Sequence, residues 1–475
     1  MDNDLKVDIC VIGGGSGGLS VAAGAAQMGA KTALIEKGAM GGDCLNTGCI
    51  PSKALLAAAH AADEIRRASR FGITAGKPAV DFAAVRRHVD GTIAAIAPHD
   101  SVERFEGLGV TVIQAPARFT GQRTVEAGDT RITARRCVIA TGSQPMIPPI
   151  PGLAETPYHT NETIFGLEEI PEHLVIIGGG PIGIEMAQAF RHLGARVTIL
   201  EMFSVLPKDD PELVAVLRAR LVADGIKIVE SLKIVSVERS PSGISLAMIK
   251  EGIETRIEGS HLLIAAGRRP AIDGLDLEKA GVYYKGNGIP VDARLRTSNR
   301  KIFAIGDVVA GGYQFTHVAG YQAGVVLRNA LFRLPARADR RVVPWVTYTA
   351  PELSQVGLTE GQARAKGLKY RVLRSAFADN DRARAERRAE GMIKVIVSPR
   401  GRVLGAGIVG PGAGDLIQTW VVAMDRKISI GCLAGVIVPY PTLGEINKRA
   451  AGEFFTQTLF GERTKKVVRF LGLFG

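Results

Sequence analysis

Lys6-Val7-Asp8-Ile9-Cys10-Val11-Ile12 runs straight into Gly13-Gly14-Gly15-Ser16-Gly17-Gly18; an alanine-rich stretch then reaches about Met28, followed by Lys31-Thr32-Ala33-Leu34-Ile35 and Glu36. The β-branched run predicts a strand, the glycines a tight turn, the alanines an amphipathic helix, and Lys31 to Ile35 a second strand. Together they form a βαβ unit with GxGxxG at Gly13, Gly15 and Gly18. Such glycines permit the turn, the close approach of a pyrophosphate and the contact of helix with strand. Free N–H groups at the helix start face the phosphates. Glu36 is placed to accept hydrogen bonds from a ribose 2′-OH. Ile9 to Ala30 carries no charge, but its seven glycines fit this unit better than a membrane span.

One GxGxxG is weak evidence, because glycine turns are common. Here the pattern recurs. His173-Leu174-Val175-Ile176-Ile177 leads into Gly178, Gly180 and Gly183, and after a helical stretch Arg196 to Leu200 ends at Glu201. The interval from first glycine to acid is 23 residues in both copies. Two dinucleotides on one chain are therefore expected. After Glu201 come Met202, Phe203 and Ser204, with no arginine for a 2′-phosphate. This favours NADH, and NADPH stays open if a neighbouring loop supplies a cation.

Downstream of Glu36 the chain reads Gly41-Gly42-Asp43-Cys44-Leu45-Asn46-Thr47-Gly48-Cys49-Ile50-Pro51-Ser52-Lys53. Two cysteines at this spacing can close a disulfide at a helix start, and a helix N-terminus lowers a thiol pKa. The competing reading is half a zinc site. Zinc would need two further ligands, and no Cys/His pair at suitable spacing stands elsewhere.

The stretch Gly41 to Lys53 resembles the signature of the class I pyridine nucleotide-disulfide oxidoreductases, which include dihydrolipoamide dehydrogenase, glutathione reductase and mercuric reductase. The resemblance extends over the chain. Ala140-Thr141-Gly142 is similar to the family's crossover from the FAD to the NAD domain, and Ala265-Ala266-Gly267-Arg268-Arg269-Pro270 to the return. Ile302-Phe303-Ala304-Ile305-Gly306-Asp307 resembles the second FAD stretch, whose Asp holds the ribityl hydroxyls. Lys53 and Glu185 match an ion pair near the flavin. Pro344 to Glu360 resembles the start of the dimerisation domain. The resemblance implies an α/β fold with two Rossmann-like dinucleotide-binding domains and a C-terminal α+β dimerisation domain. It implies a homodimer that binds FAD and shares its site across the interface. Cys49 would be the thiol facing the flavin, and Cys44 the outer thiol that meets the substrate. The expected limits are 1–150 and 285–340 for the FAD part, 151–284 for the NAD part and 341–475 for the interface part. Pro145 to Pro151 stiffens the first crossing.

The pattern breaks at one position. Disulfide reductases of this family carry a His before Pro-Thr near the C-terminus, with a Glu five residues after it. Here Val438-Pro439-Tyr440-Pro441-Thr442-Leu443-Gly444-Glu445 keeps Glu445 and replaces the His by Tyr440. A free phenol has a pKa of about 10, so about one in a thousand is ionised at pH 7. Tyr440 is thus a poor proton shuttle for a dithiol. Tyrosine here resembles the mercuric reductases. Those also carry a vicinal Cys pair near the C-terminus, and Phe470 to Gly475 holds none. Cys432 is the one further thiol of the last part, expected to be buried, as are Cys10 and Cys137 in apolar strands. His317 falls near the flavin by position, with no readable role.

The rest of the composition narrows the classes. The acidic start Met1-Asp2-Asn3-Asp4 lacks the basic residues of a secretory leader, so a soluble, cytoplasmic protein is expected. Five cysteines, an odd number, are no disulfide framework. Residues 328–402 hold 17 Lys and Arg against 7 Asp and Glu. No nucleic-acid motif accompanies them, so a solvated face or a funnel for an anionic substrate is expected. Arg463, Lys465, Lys466 and Arg469 interleave with Val467, Val468, Phe470, Leu471, Leu473 and Phe474. A tail packed on the dimer is preferred there over a helix lying on an anionic membrane. Three functions compete: a reductase of a metal ion, quinone or other non-disulfide acceptor; a dihydrolipoamide dehydrogenase or other disulfide reductase; and a non-catalytic flavoprotein subunit or sensor. Intact cysteines and two nucleotide motifs weigh against the last.

Overall fold

The strand Asn3–Ile12 pairs in parallel with Thr32–Glu36 on one side and Thr130–Ile139 on the other. This is the centre of the first sheet in the computed structural model, which describes residues 3–474. Met1 and Asp2 of the acidic start, and Gly475, lie outside these residues. Val110–Gln114 extends the parallel sheet beyond Thr32–Glu36. The ten-residue strand Thr130–Ile139 serves two neighbours on its other edge. Its first half pairs with Thr124–Ala127 of an antiparallel hairpin, and its last residues pair with Ile302–Ala304, the chain's return to this sheet. The helix Ser16–Gln27 packs on the helix Thr316–Ala330. Gly24 permits that approach, since a Cβ there would meet Leu327 at 2.5 Å.

The second sheet is parallel, in the order Lys227–Val229, Arg196–Leu200, His173–Ile177, His261–Ile264. A three-stranded antiparallel sheet, residues 233–259, stands beside it. The two crossovers pair with each other: Ser143–Pro145 is antiparallel to Arg268–Pro270. Thr141 Oγ1 donates to the Ala271 carbonyl at 2.7 Å, and Ala271 N–H to the Gly142 carbonyl at 3.0 Å. The chain rejoins the first core soon after this ribbon. Phe119 N–H bonds the Leu275 carbonyl at 2.9 Å, and Leu275, Leu277, Ala280 and Val282 pack with Cys10, Ile12 and Cys137. That is earlier than the return at 285 expected from the sequence. The apolar residues of 275–282 close the open face of the first sheet, a contact that no local pattern announces.

The sheet of the C-terminal part is antiparallel, in the order Pro344–Thr347, Glu352–Gly357, Val403–Gly410, Met392–Val397, Arg371–Ala376. Its core centres on Trp420, fully buried, whose Nε1 donates to Asn447 at 2.8 Å. The basic stretch is not all solvated face. Lys394 is buried, with Asp210, Glu212 and Glu360 within 3.0 Å, and this cluster ties the second part to the third. Arg374 hydrogen-bonds Glu212 and, with Lys394, holds its pKa down at about 2. Cys432, expected from the sequence to be buried, is exposed. Its helix, Ile430–Gly435, buries Ile430 and Leu433, so position 432 points outward. Cys10 and Cys137 are buried cross-strand neighbours.

Candidate active site

The first glycine turn is locked to the helix that carries Cys44. Gly41 N–H donates to the Gly14 carbonyl at 2.9 Å, and a Cβ on Gly42 would lie 2.7 Å from the Gly15 Cα. Gly41 and Gly42 have φ of +89° and +59°, which glycine adopts without strain. Cys44 lies in the short helix Gly42–Asn46, and Cys49 opens the long helix Cys49–Arg67. Asn46 Nδ2 closes the loop by donating to the Met40 and Gly42 carbonyls at 3.0 and 2.8 Å. The long helix packs Ala54, Leu55 and Ala59 against Ile184, Met186 and Phe190 of the helix Pro181–Leu193. The cysteine helix is thereby fixed to the second nucleotide unit.

This packing brings Lys53 to Glu185, Nζ to Oε2 at 2.9 Å. Glu185 is buried, and its other oxygen accepts from the Tyr348 N–H at 2.9 Å. Lys53 Nζ stands 4.3 Å from the centre of the Tyr348 ring. Both cysteines are free thiols. Thr316 Oγ1 lies 3.4 Å from Cys49 Sγ. The pair shares one proton unequally. The hydrogen bond from Cys44 lowers the Cys49 thiol to about 6 against the effect of burial, helped by Thr316 and the Lys53 charge. The same hydrogen bond, with burial, pushes Cys44 far up. Near neutral pH the reduced pair therefore holds its negative charge on Cys49.

A polar chain runs from the cysteine loop to Asp307. Asn161 Nδ2 donates to Asp43 and to the Thr47 carbonyl at 2.8 and 3.1 Å, and its oxygen accepts from Arg268 at 3.2 Å. Arg268 Nε donates to Ser143 Oγ at 2.7 Å, and Ser143 donates to Asp307 at 2.7 Å. Burial raises the Asp307 carboxyl, partly offset by Ser143 and Arg268. The sequence reading missed Ser143, Asn161, Thr316 and Tyr348. Thr316 precedes His317, already singled out, so that neighbourhood was the only signal. The His317 ring stacks on Phe315 at 5.2 Å and its Nε2 meets the Pro344 carbonyl.

The glycine positions fit two dinucleotides. A Cβ on Gly13 would strike the Ala140 carbonyl at 2.4 Å, and one on Gly18 the Gly13 carbonyl at 1.8 Å. Gly15 differs: its nearest neighbour would be 3.8 Å away. In the second unit Gly178 and Gly183 are as crowded, at 2.3 and 2.0 Å, and Gly180 faces open space. In each unit, then, the middle glycine leaves room at a helix N-terminus, the place a pyrophosphate takes. Glu36 accepts from Gly14 and Gly38 N–H, and Glu201 from Gly179 and Phe203 N–H. Each carboxylate keeps free lone pairs for a ribose. Gly142, Gly267 and Gly306 all have positive φ, at +69°, +119° and +72°.

Tyr440 and Glu445 are not part of this cluster within the chain. Tyr440 is 70% exposed, and its hydroxyl donates to Asp381 at 3.0 Å. That bond to a carboxylate raises the phenol above its ordinary value. Glu445 opens the helix Glu445–Leu459 and accepts from Thr442 N–H at 3.5 Å. One other group of metal-ligand type exists among the described residues, Asp63, His192 and Asp224. Arg67 and Arg220 already hold both carboxylates at 2.8–3.0 Å, so it is an ion-pair network.

The pyridine nucleotide-disulphide oxidoreductase family matches residues 7–323, and its dimerisation domain residues 343–451. The chain belongs to this family: it is an NAD(P)H-dependent flavoprotein oxidoreductase that binds FAD and carries a dimerisation domain. It is 35% identical to a mercuric reductase of Streptomyces lividans over 94% of this chain and 96% of that protein. It is 37% identical to a dihydrolipoyl dehydrogenase of Thermus scotoductus over 95% of this chain and 98% of that protein. The fold matches the HOCl-induced flavoprotein disulfide reductase RclA from Escherichia coli with a TM-score of 0.84 and 29% identity, covering 94% of this chain and 99% of the other. The Cu(II) complex of RclA matches equally well. No described helix is long and apolar enough to cross a membrane.

Proposed function

We propose that this enzyme takes reducing equivalents from NADH and delivers them through Cys44 and Cys49 to an acceptor that is not an ordinary disulfide. A thiolate-bound metal ion is the acceptor class best supported, with a quinone next. FAD, when bound, relays two electrons between the nicotinamide and the thiols. The chain's own residues hold and tune this relay. Gly13, Gly15, Gly18, Glu36, Thr141, Gly142, Gly306 and Asp307 cradle FAD. Gly178, Gly180, Gly183, Glu201 and Gly267 take the nicotinamide cofactor. Lys53, anchored by Glu185, sets a positive charge beside the inner thiol. Cys49 holds the thiolate, and Cys44 keeps its proton until it meets the acceptor. The enzyme works as a cytoplasmic homodimer whose Tyr440 and Glu445 complete the partner's site.

Tyr440 carries the reading. A disulfide acceptor needs a proton for its leaving thiolate, and a group that cycles protons near pH 7. The Tyr440 hydroxyl is committed to Asp381 and its pKa lies above that of a free phenol. A thiolate-bound metal ion has no such need. The relatives named mercuric reductase and the Cu(II) complex of RclA support the same choice. Retained Glu445 and the similarity to dihydrolipoyl dehydrogenases favour a disulfide acceptor as the second reading.

The test is steady-state NADH oxidation from pH 6 to 9 for wild type, Tyr440→His and Tyr440→Phe. The acceptors are lipoamide, glutathione disulfide, mercuric and cupric thiol complexes, and a quinone. Slow turnover with both disulfides is expected, faster turnover with a metal complex, and a gain in disulfide reduction by Tyr440→His. Wild-type lipoamide turnover on the order of 10–1000 per second, the range of efficient enzymes, would transfer the protein to the second reading.

A further inference from the structure

The last helix, Glu462–Leu471, buries none of its residues within the chain. Val467, Val468, Phe470 and Leu471 are each more than half exposed. Leu473 and Phe474, just beyond, are exposed to 78% and 74%. With about 100° between successive residues of an α-helix, Val467, Val468, Phe470 and Leu471 share one face. Lys465, Lys466 and Arg469 occupy the opposite face, while Arg463 falls on the apolar side, one turn before Val467. The rings of Phe470 and Phe474 pack edge to face at 5.2 Å, which carries the apolar face past the helix end. Among the described residues, Lys465 alone of the four cations is ion-paired, to Glu462 at 2.9 Å.

Six large apolar side chains in water call for a cover. A protein partner is one candidate, but interface cores are depleted in lysine. The matched dimerisation domain also ends at residue 451, before this helix begins. Four cations against one carboxylate beside an uncovered apolar stripe complement a different surface. We propose that residues 462–474 dock the enzyme reversibly on an anionic lipid surface. The helix lies in the plane of the interface, with Phe470, Leu471 and Phe474 among the acyl chains and the cations at the headgroup phosphates. One short helix makes this attachment weak and salt-sensitive. The proposal holds whichever acceptor the thiols serve.

The experiment is co-sedimentation of the full-length, FAD-loaded protein with vesicles of equal parts phosphatidylglycerol and phosphatidylcholine, and of phosphatidylcholine alone. At low salt, partitioning onto the anionic vesicles should be at least tenfold stronger and should fall as salt is added. Phe470→Ser with Leu471→Ser, which keeps every charge, should weaken it at least tenfold without changing NADH oxidation or oligomeric state. Lys465→Glu with Lys466→Glu should do the same. Arg400→Glu with Arg402→Glu, in a separate basic pocket with Arg341 and Lys427, should change it less than twofold. Absence of wild-type sedimentation at low salt would overturn the proposal. So would binding that depends on Arg400 and Arg402 rather than on the tail. Dissociation of the dimer by Phe470→Ser with Leu471→Ser, read by light scattering, would instead make the stripe a protein interface.

Discussion

The two glycine turns are built alike nearly atom for atom. A Cβ on either first glycine would strike the carbonyl of Ala140 or Ala265, at 2.4 and 2.3 Å, positions that begin the two crossovers. Their acids clasp the N–H groups of Gly14 and Gly179 at 2.5 and 2.7 Å. Each turn is then closed by an N–H at the same spacing, Gly41 onto Gly14 and Leu206 onto Gly179, both at 2.9 Å. The copies part after that hydrogen bond. In the first, Gly41 and Gly42 swing the chain across the turn into the helix of Cys44. In the second, Leu206 leads to Asp209 and Asp210, which bind Trp345 and Lys394 of the third part. On the proposed function, nucleotide binding belongs to the turn and the chemistry to what the chain does next.

The two turns separate most clearly when the space beside each middle glycine is filled. Gly15 and Gly180 have ordinary φ, −86° and −76°, and room for a side chain. Gly15→Val should fold and lose FAD, giving a colourless protein. Gly180→Val should stay yellow, with kcat/KM for NADH reduced on the order of a hundredfold, about 2.7 kcal/mol. Flavin absorbance and rapid NADH reduction read both. Loss of flavin from Gly180→Val would show that the two cradles are not independent.

A smaller effect lies in the acid of the second copy. Glu201 is followed by exposed Met202 and Phe203, and among the described residues no Lys or Arg is ion-paired with its carboxylate, which accepts from Phe203 N–H. NADH should exceed NADPH in kcat/KM by about tenfold, or about 1.4 kcal/mol. Equal use of both nucleotides would mean that a loop outside the βαβ unit meets the 2′-phosphate.

The narrowest expected effect concerns what only the first copy carries. In the NADH-reduced enzyme the long-wavelength thiolate–flavin band should titrate near pH 6, fading as pH falls and Cys49 takes a proton. Thr316→Val removes a hydrogen bond to that thiolate and should move the midpoint up by about one to two units, since such bonds are worth about 1.5–3 kcal/mol. Cys49→Ser should abolish the band. An unmoved midpoint in Thr316→Val would assign the lowered pKa to Cys44 and Lys53 alone.

Periodicity and spacing made most of the frame legible. Both βαβ units, the acids that close them and the paired cysteines are local patterns, because a tight turn and a helix start impose residue types over short windows. Cys432 was misjudged for want of a partner surface: only its helix's packing on Ile430 and Leu433 turns it to solvent. The return of residues 275–282 to the first core was equally out of reach, since it rests on Phe119 and Ile12, far away in the chain.

The order of the elements, the two nucleotide cradles and the Tyr440 substitution were determined by the sequence alone, each within a stretch whose residues touch one another. The pairing of Ser143–Pro145 with Arg268–Pro270, the polar chain from Asp43 through Asn161 and Arg268 to Asp307, and the approach of Thr316 to Cys49 were decided by the tertiary structure. The physical reason is distance along the chain. Thr316 and Cys49 are 267 residues apart, and a 3.4 Å contact over that separation follows only from how the helices pack.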